Sequence, residues 1–272
     1  MQNTADLWEV LCRDFQSQRS QLSQAQHLDA AEQFLASARQ VLRPDSERLS
    51  DAYEICADLC RAAGGDQRAI QYYETALKLS VTAGPEVSAR LAGKLAILRE
   101  ETGDLNEALE LFGQAIGYFD QAGDHRQHPA LLSYCAALER RLGNRGEARK
   151  HYEAAIKIAT QLYGEAHAEV AVLLNNFGVA LCEWKEFAEA EICHLRALQI
   201  CESAFGSTHP DVGQSLSNLA VLYHIKRDSA RAIKFYRAAI EILGRTREAN
   251  DSEVQTLRAN LDSLQKTTSR VR

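Results

Sequence analysis

The feature that most constrains this chain is a repeated spacing of small residues. Five segments align without internal gaps on one small residue each, and these anchors lie 39 to 42 residues apart. Alanine stands twelve positions after every anchor and again seven positions further on. A repeat of this length predicts a stack of helical units. The anchors are Ala57, Ala96, Ala136, Gly178 and Ala220, followed by Ala69, Ala108, Ala148, Ala190 and Ala232, and then by Ala76, Ala115, Ala155, Ala197 and Ala239.

A ring occupies a fixed place in the same pattern, three residues before the last alanine of each segment. Small residues let two helices approach closely, and the ring fills the remaining space between neighbouring repeats. We expect a larger side chain at Ala136 or Ala190 to overpack this contact, at a cost of about 1–3 kcal/mol. The fold class predicted is therefore all-α, a superhelical solenoid of antiparallel helix pairs. The rings are Tyr73, Phe112, Tyr152, His194 and Tyr236.

The turn inside each helix pair carries a second regularity. Gly64, Gly103 and Gly143 occupy one equivalent site, which suits a left-handed residue just after a helix. Lys185 and Arg227 stand at this site in the last two repeats, so we expect those turns to be less favourable.

The repeats predict one domain that spans residues 1–272. Residues 1–44 form a degenerate first repeat, in which Ala31, Leu35 and Ala38 match the second-helix pattern and the first helix runs from about Trp8 to Leu22. Residues 45–246 hold the five regular repeats. Residues 247–266 read as one closing helix, and residues 267–272 as a tail. Atypical end units are usual in solenoids, because one side of them faces solvent.

The order of small, alanine, aromatic and alanine positions resembles the tetratricopeptide repeat (TPR). The last two repeats add an H-P-D-V entry at 209–212, L-N-N-F-G at 174–178 and R-A-L-Q-I-C-E at 196–202, which resemble kinesin light chains. That resemblance implies a cargo-binding adaptor groove. The sequence has no long heptad coiled coil, so motor binding is not implied. A compact chain made almost wholly of repeats is similar to bacterial kinesin-light-chain-like proteins, some of which accompany bacterial tubulins.

The resemblance also implies where a partner binds, because first helices line the concave face of such stacks. The face positions lie at −6, −3, −2, +1, +4 and +5 from each anchor. Asparagine suits peptide recognition, since its amide both donates and accepts. Two other readings stay open: one asparagine holds a contact between repeats, and the arginine pair is a solvated helix end. The predicted protein-binding residues are Arg140, Arg141, Asn175, Asn176, Gln214, Asn218 and His224.

Several function classes are disfavoured. The net charge of −6 argues against nucleic-acid binding, although residues 224–272 carry 11 Lys and Arg against 6 Asp and Glu and could orient an acidic partner. No catalytic or phosphate-binding motif occurs. His125 and His128 lie in a loop before a proline, while His167 and His209 repeat at equivalent entry positions and read as helix caps. We expect no enzyme activity, cofactor or metal.

Chaperone-tail recognition is also disfavoured, because the positions that carry its basic clamp are acidic or neutral here: Glu54 with Asp58, Gly93 with Ile97, and Ser133 with Ala137.

The seven cysteines include no C-x-x-C pair. Cys56 and Cys60 share one helix face, and buried reduced thiols are the simpler reading than a metal pair.

The function predicted is a non-catalytic adaptor or scaffold that binds a protein partner, either a tubulin-like filament or an extended peptide in the groove. A peptide-sensing regulator and a secretion or assembly chaperone are the alternatives. The opening segment lacks the pattern of a secretory signal and no apolar run spans a membrane, so we expect a cytoplasmic protein without membrane contact. The oligomeric state is not predicted.

Overall fold

The computed structural model describes residues 4–19, 23–44, 46–246 and 251–270, and this part of the chain is built from helices. One short 3₁₀ turn, Ser80–Thr82, precedes α5. The α-helices are α1 (Thr4–Arg19), α2 (Gln24–Val41), α3 (Glu47–Ala62), α4 (Asp66–Leu79), α5 (Pro85–Thr102), α6 (Leu105–Ala122), α7 (His128–Arg141), α8 (Arg145–Tyr163), α9 (Ala168–Glu183), α10 (Phe187–Phe205), α11 (Pro210–Ile225), α12 (Ser229–Thr246) and α13 (Ser252–Arg270).

The helices form two compact units. The N-terminal unit is Met1–Asn144 and the C-terminal unit is Arg145–Arg272. In each unit a helix packs chiefly against its neighbours in sequence, as in α5 with α6 or α11 with α12. The dividing point falls inside the third regular repeat, whose first helix is α7 and whose second is α8. The predicted limits of the repeat segments and of a single domain stay predictions.

The repeated small residues have the environment that their spacing predicts. Every anchor is buried, and so are both alanines of every second helix. The rings that accompany them are buried as well: Tyr73, Phe112, Tyr152 and Tyr236, together with His194. In the degenerate first repeat, Ala31, Leu35 and Ala38 are buried on α2 in the same way. The predicted all-α class of antiparallel helix pairs is confirmed.

The two ends of the chain match their predictions to different extents. Helix α1 covers Trp8, whose indole packs near the ring of Phe34 with centroids 5.9 Å apart, while Leu22 lies outside the described residues. The closing helix is α13, and it continues to Arg270, four residues past its predicted end. No glycine or proline interrupts residues 266–270, so nothing local ends the helix earlier.

The turns between paired helices have the predicted left-handed residue. Gly64, Gly103 and Gly143 have φ of 75°, 95° and 83°. Lys185 and Arg227 adopt the same conformation, with φ of 63° and 60°, and are the positive-φ residues other than glycine in the described chain. Their side chains bring Cβ near the following carbonyl, which costs about 1–2 kcal/mol per residue.

Replacement of these two residues by glycine tests that strain. We expect Lys185→Gly or Arg227→Gly to raise the free energy of unfolding by about 0.5–1 kcal/mol, because the relief exceeds the extra entropy of glycine in the unfolded chain. Urea unfolding measures it. Gly103→Lys is the matched reverse change and should lower stability by a similar amount. If all three variants unfolded with the same free energy as the wild-type protein, this account of the turns would be wrong.

Gly178 is the one anchor that is not alanine, and its ring partner explains why. A Cβ at Gly178 would lie 2.5–2.8 Å from three atoms of the His194 imidazole. The ring therefore occupies the space that a methyl group fills in the other repeats. The residue type at the anchor position thus depends on the residue type at the ring position, which the sequence pattern does not show.

Gly178→Ala should therefore lower stability by about 1–3 kcal/mol, because the buried ring must shift. Gly117→Ala on α6 is the control: a Cβ there meets no atom within 4 Å, so alanine should stabilise by about 0.5–1 kcal/mol through its helix propensity. Thermal and urea unfolding of both variants measure the difference. A neutral Gly178→Ala change would refute the clash.

Candidate protein-binding surfaces

A groove opens on the first-helix side of the N-terminal unit, between α5 and α7. It has a volume of about 560 Å³, and Phe119 near the end of α6 also lines it. Six of its lining residues occupy the face positions counted from the anchors Ala96 and Ala136. The register derived from the repeats thus locates the groove: its residues are Arg90, Gly93, Lys94, Ile97, Ala130 and Tyr134.

The apolar part of the groove rests on one exposed aromatic side chain. Tyr134 is 45% exposed. Its ring is stacked on the buried ring of Phe112, with centroids 5.2 Å apart and planes at 4°. Phe112 is one of the repeat rings, so the packing between repeats holds Tyr134 in place. A fixed amphipathic ring of this kind binds a partner with little loss of side-chain entropy.

The charged part of the groove comes from an ion-pair cluster between α3 and α5. Glu54 is buried and pairs with Arg90, and the Lys94 ammonium lies 2.8 Å from carboxylate oxygens of both Glu54 and Asp58. The hydroxyl of Tyr73 donates to Asp58. These contacts fix the two cations at the groove wall, where the Arg90 side chain is still 46% exposed.

One carboxyl next to this cluster has a shifted pKa. Burial raises the pKa of Asp51 above its ordinary value, and the Arg90 guanidinium opposes that shift. Asp51 occupies the −6 face position of the first regular repeat. The two acidic residues that argue against a chaperone-tail clamp, Glu54 and Asp58, are also engaged within the chain, by Arg90 and Lys94.

A second surface lies on the first helices of the C-terminal unit, α9 and α11. The face register of these helices combines amides with exposed branched side chains. Asn176 is exposed, and Gln214, Asn218 and His224 are half-buried. Val172, Val179, Val221 and Ile225 occupy the same register and are between 37% and 50% exposed.

Asn175 is bound within the chain. Its amide nitrogen donates to the Ser215 hydroxyl on α11 at 2.9 Å, and its carbonyl oxygen pairs with Nδ1 of His194 on α10 at 3.1 Å. One side chain therefore links three helices. This geometry supports the reading in which one asparagine holds the contact between repeats, while its binding role stays a prediction.

The remaining predicted residues fall into two groups. Arg141 is exposed and pairs with Glu100 at 2.5 Å, and Arg140 beside it is half-buried. His224 pairs with the hydroxyl of Tyr236 at 3.1 Å, and the two rings meet edge to face. The structure thus brings Asn175, Asn176, Gln214, Asn218 and His224 onto α9 and α11, whereas Arg140 and Arg141 belong to the N-terminal unit.

The groove residues are absent from the set predicted by sequence. Arg90, Lys94 and Tyr134 lie in the same face register, but the prediction favoured the repeats that carry asparagine. Gly93 and Ile97 entered only as neutral positions that disfavour a chaperone-tail clamp. The signal that would have found the groove is the glycine at a face position, which leaves room between neighbouring first helices.

The cysteines and the histidines at the helix entries have roles in packing and capping. All seven cysteines are free, and burial raises the pKa of Cys56 to about 12 while its thiol donates to the Ala31 carbonyl. The entry histidines cap helices as predicted: Nδ1 of His167 accepts from Glu169, and Nδ1 of His209 from Asp211. Among the described helices, none is both long and apolar enough to cross a membrane.

Comparison with known proteins supports the repeat assignment. Residues 127–194 and 185–245 match the tetratricopeptide repeat family. This part of the chain therefore consists of tetratricopeptide repeats, in agreement with the resemblance found in the sequence.

Solved structures show the same fold over most of the chain. BtubC (BKLC) from P. vanneervenii superposes with a TM-score of 0.69 over 83% of this chain and 92% of that one, at 23% identity. Kinesin-light-chain TPR-like repeats from Podosopora anserina give a TM-score of 0.61 over 75% of this chain and 99% of theirs, at 18% identity. The chain therefore shares its fold with kinesin-light-chain-type repeats.

Curated relatives share only a segment. A clustered mitochondria protein homolog from Aspergillus niger is 26% identical over 182 residues, which are 66% of this chain but 14% of that protein. A homolog of the same name from Ajellomyces capsulatus is 25% identical over the same length. The chain thus spans about a seventh of the length of these relatives.

The buried imidazole of His194 should make the free energy of unfolding depend on pH. Burial lowers the pKa of His194 to about 4, against an ordinary value of about 6.5 in the unfolded chain. Between these values the unfolded chain binds a proton that the folded chain does not, so stability falls with acidification. From pH 7 to pH 5 we expect the free energy of unfolding to fall by about 2 kcal/mol through this group.

His194→Phe, which installs the residue of an equivalent site, should make the loss between pH 7 and pH 5 smaller by about 2 kcal/mol. Urea unfolding of both proteins at the two pH values measures it, and the wild-type protein supplies the contribution of all other groups. An identical loss in both proteins would show that His194 titrates normally.

Proposed function

We propose that this chain is a non-catalytic adaptor that holds an extended segment of a partner protein in the groove between α5 and α7. The observation that carries this proposal is the coincidence of the groove with the first-helix face register at six positions. TPR stacks act as protein-interaction scaffolds, and the groove supplies apolar side chains, one fixed aromatic ring, two cations and the carboxylate of Glu86.

The groove chemistry favours a particular kind of segment. Tyr134 and the aliphatic walls accept an apolar side chain, while Arg90 and Lys94 lie where a carboxylate or a backbone carbonyl can bind. The amide and valine face of α9 and α11 offers a similar surface within the C-terminal unit. We propose that Asn176, Gln214 and Asn218 bind a partner there, since amides recognise an extended backbone.

The partner we propose is a bacterial-tubulin-like filament, and the site of action is the cytoplasm. Support comes from the kinesin-light-chain-like sequence features and from the fold shared with BtubC. The excess of basic residues in 224–272 favours an acidic filament surface. A peptide-sensing or chaperone role would use the same faces with soluble partners.

Co-sedimentation with polymerised bacterial tubulin at moderate salt tests the partner. We expect the chain to pellet with filaments and to stay in solution without them. Binding should weaken as salt rises, because the attraction has a charged component. Absence from the filament pellet at every salt concentration would overturn the filament partner and favour a soluble one.

A steric block tests the groove with a matched pair of variants. A Cβ added at Gly93 on α5 or at Gly113 on α6 would meet no atom within 4 Å, but only Gly93 of the two lines the groove. Gly93→Phe should fill the groove and reduce filament affinity at least about tenfold, whereas Gly113→Phe should leave it unchanged. Both should fold, which circular dichroism checks. Equal binding by the two variants would exclude the groove as the contact surface.

A further inference from the structure

A cluster of two imidazoles and one carboxylate lies at the junction of α6 and α7. Asp120 is in the last turn of α6, His125 is in the loop, and His128 begins α7. Nδ1 of His125 lies 3.3 Å from Oδ1 of Asp120, and Nε2 of His128 lies 2.9 Å from the same oxygen. One ligand atom from each residue lies within 4.8 Å of the other two.

The local backbone brings these three residues together. Gly123 ends α6 with φ of 70°, and the amide of Asp124 donates back to the Phe119 carbonyl at 3.0 Å. The amide of His128 donates to the His125 carbonyl at 3.2 Å, which forms the turn that starts α7. The two imidazoles therefore approach from one side of a tight loop, with ring centroids 4.9 Å apart.

The neighbouring carboxylate is already engaged, which leaves Asp120 as the acidic ligand. Both oxygens of Asp124 accept hydrogen bonds from the Arg126 guanidinium at 2.8 Å. With the Asp124–Arg126 pair neutral, the cluster has the negative charge of Asp120, which favours a cation.

We propose that Asp120, His125 and His128 form a site for a divalent transition-metal ion, with Zn²⁺ as the expected occupant. Zn²⁺ binds imidazole nitrogen and carboxylate oxygen at about 2.0–2.1 Å, so tetrahedral ligands lie about 3.3 Å apart. The Asp120–His125 distance equals that edge and the Asp120–His128 distance is slightly shorter. Imidazole with carboxylate is a donor set that suits zinc.

His128 supplies an independent observation. Its side chain is only 8% exposed, and Nδ1 of its ring is buried without a hydrogen-bond partner among the described residues. Buried polar atoms are normally paired. The other ring nitrogen, Nε2, faces Asp120 and is the atom that would bind the metal.

The metal would act as a clip between two repeats. Its ligands come from the end of α6 and the start of α7, and Phe119 and Gln127 beside them line the groove. Bound Zn²⁺ would fix the α6–α7 turn at the groove edge. Asp120 and His125 are exposed, so the fourth position is open to water. This site does not depend on the proposed partner.

Titration of the metal-free chain with Zn²⁺ tests the proposal. We expect one equivalent to bind, and a melting temperature that rises by about 5 °C at about a hundredfold excess over Kd and returns with a chelator. His125→Ala and Asp120→Asn remove exposed ligands without disturbing the core, and each should weaken binding at least about tenfold. His151→Ala on α8 is the control and should bind as the wild type does.

Co²⁺ distinguishes this site from the cysteines. Tetrahedral Co²⁺ bound by nitrogen and oxygen gives visible d–d bands without the near-ultraviolet thiolate band. We expect that spectrum, and expect it to disappear in His125→Ala. A thiolate band, absence of stoichiometric binding, or unchanged Zn²⁺ affinity in both ligand variants would each overturn the assignment and leave the three residues as a hydrogen-bonded cluster.

Discussion

Close approach of helices at alanine is the contact on which the rest of this structure depends. The small anchor residue and the two second-helix alanines are buried at each regular repeat, and a ring of fixed position closes the space between them. A solenoid has few contacts between distant parts of its sequence, so its stability is the sum of such local contacts. The groove between α5 and α7 depends on them too, because the stack of Phe112 on Tyr134 joins a repeat ring to the groove lining.

Most of the fold could be predicted from the sequence, because packing in a solenoid is local and repeats along the chain. The period alone locates the helix pairs, the buried rings and the left-handed turn residues, including Lys185. The limits of helices were less predictable: α13 continues past its expected end because no residue there stops it. The division into two units inside one repeat has no sequence signal, since the repeat pattern continues unchanged across Asn144.

The candidate sites were predicted less well, for physical reasons. The face register is fixed by helix geometry, but which face residues can bind a partner depends on their neighbours. Asn175 was predicted to bind a partner, but its side chain is hydrogen-bonded to Ser215 and His194. Tyr134 looked unremarkable and is the exposed ring of the groove. His125 and His128 were visible as a pair, but Asp120 joins them only through the turn at Gly123, which spacing alone does not reveal.

The position of α7 has a consequence for how the chain can be divided. By sequence, α7 opens a repeat that continues into α8. By packing, Leu131, Cys135 and Leu138 of α7 belong to the hydrophobic core of the N-terminal unit. A fragment cut at the repeat boundary, before residue 127, would remove these core residues and the α7 wall of the groove, whereas one cut after Asn144 keeps both. The boundary between sequence repeats and the boundary between compact units are thus offset by one helix.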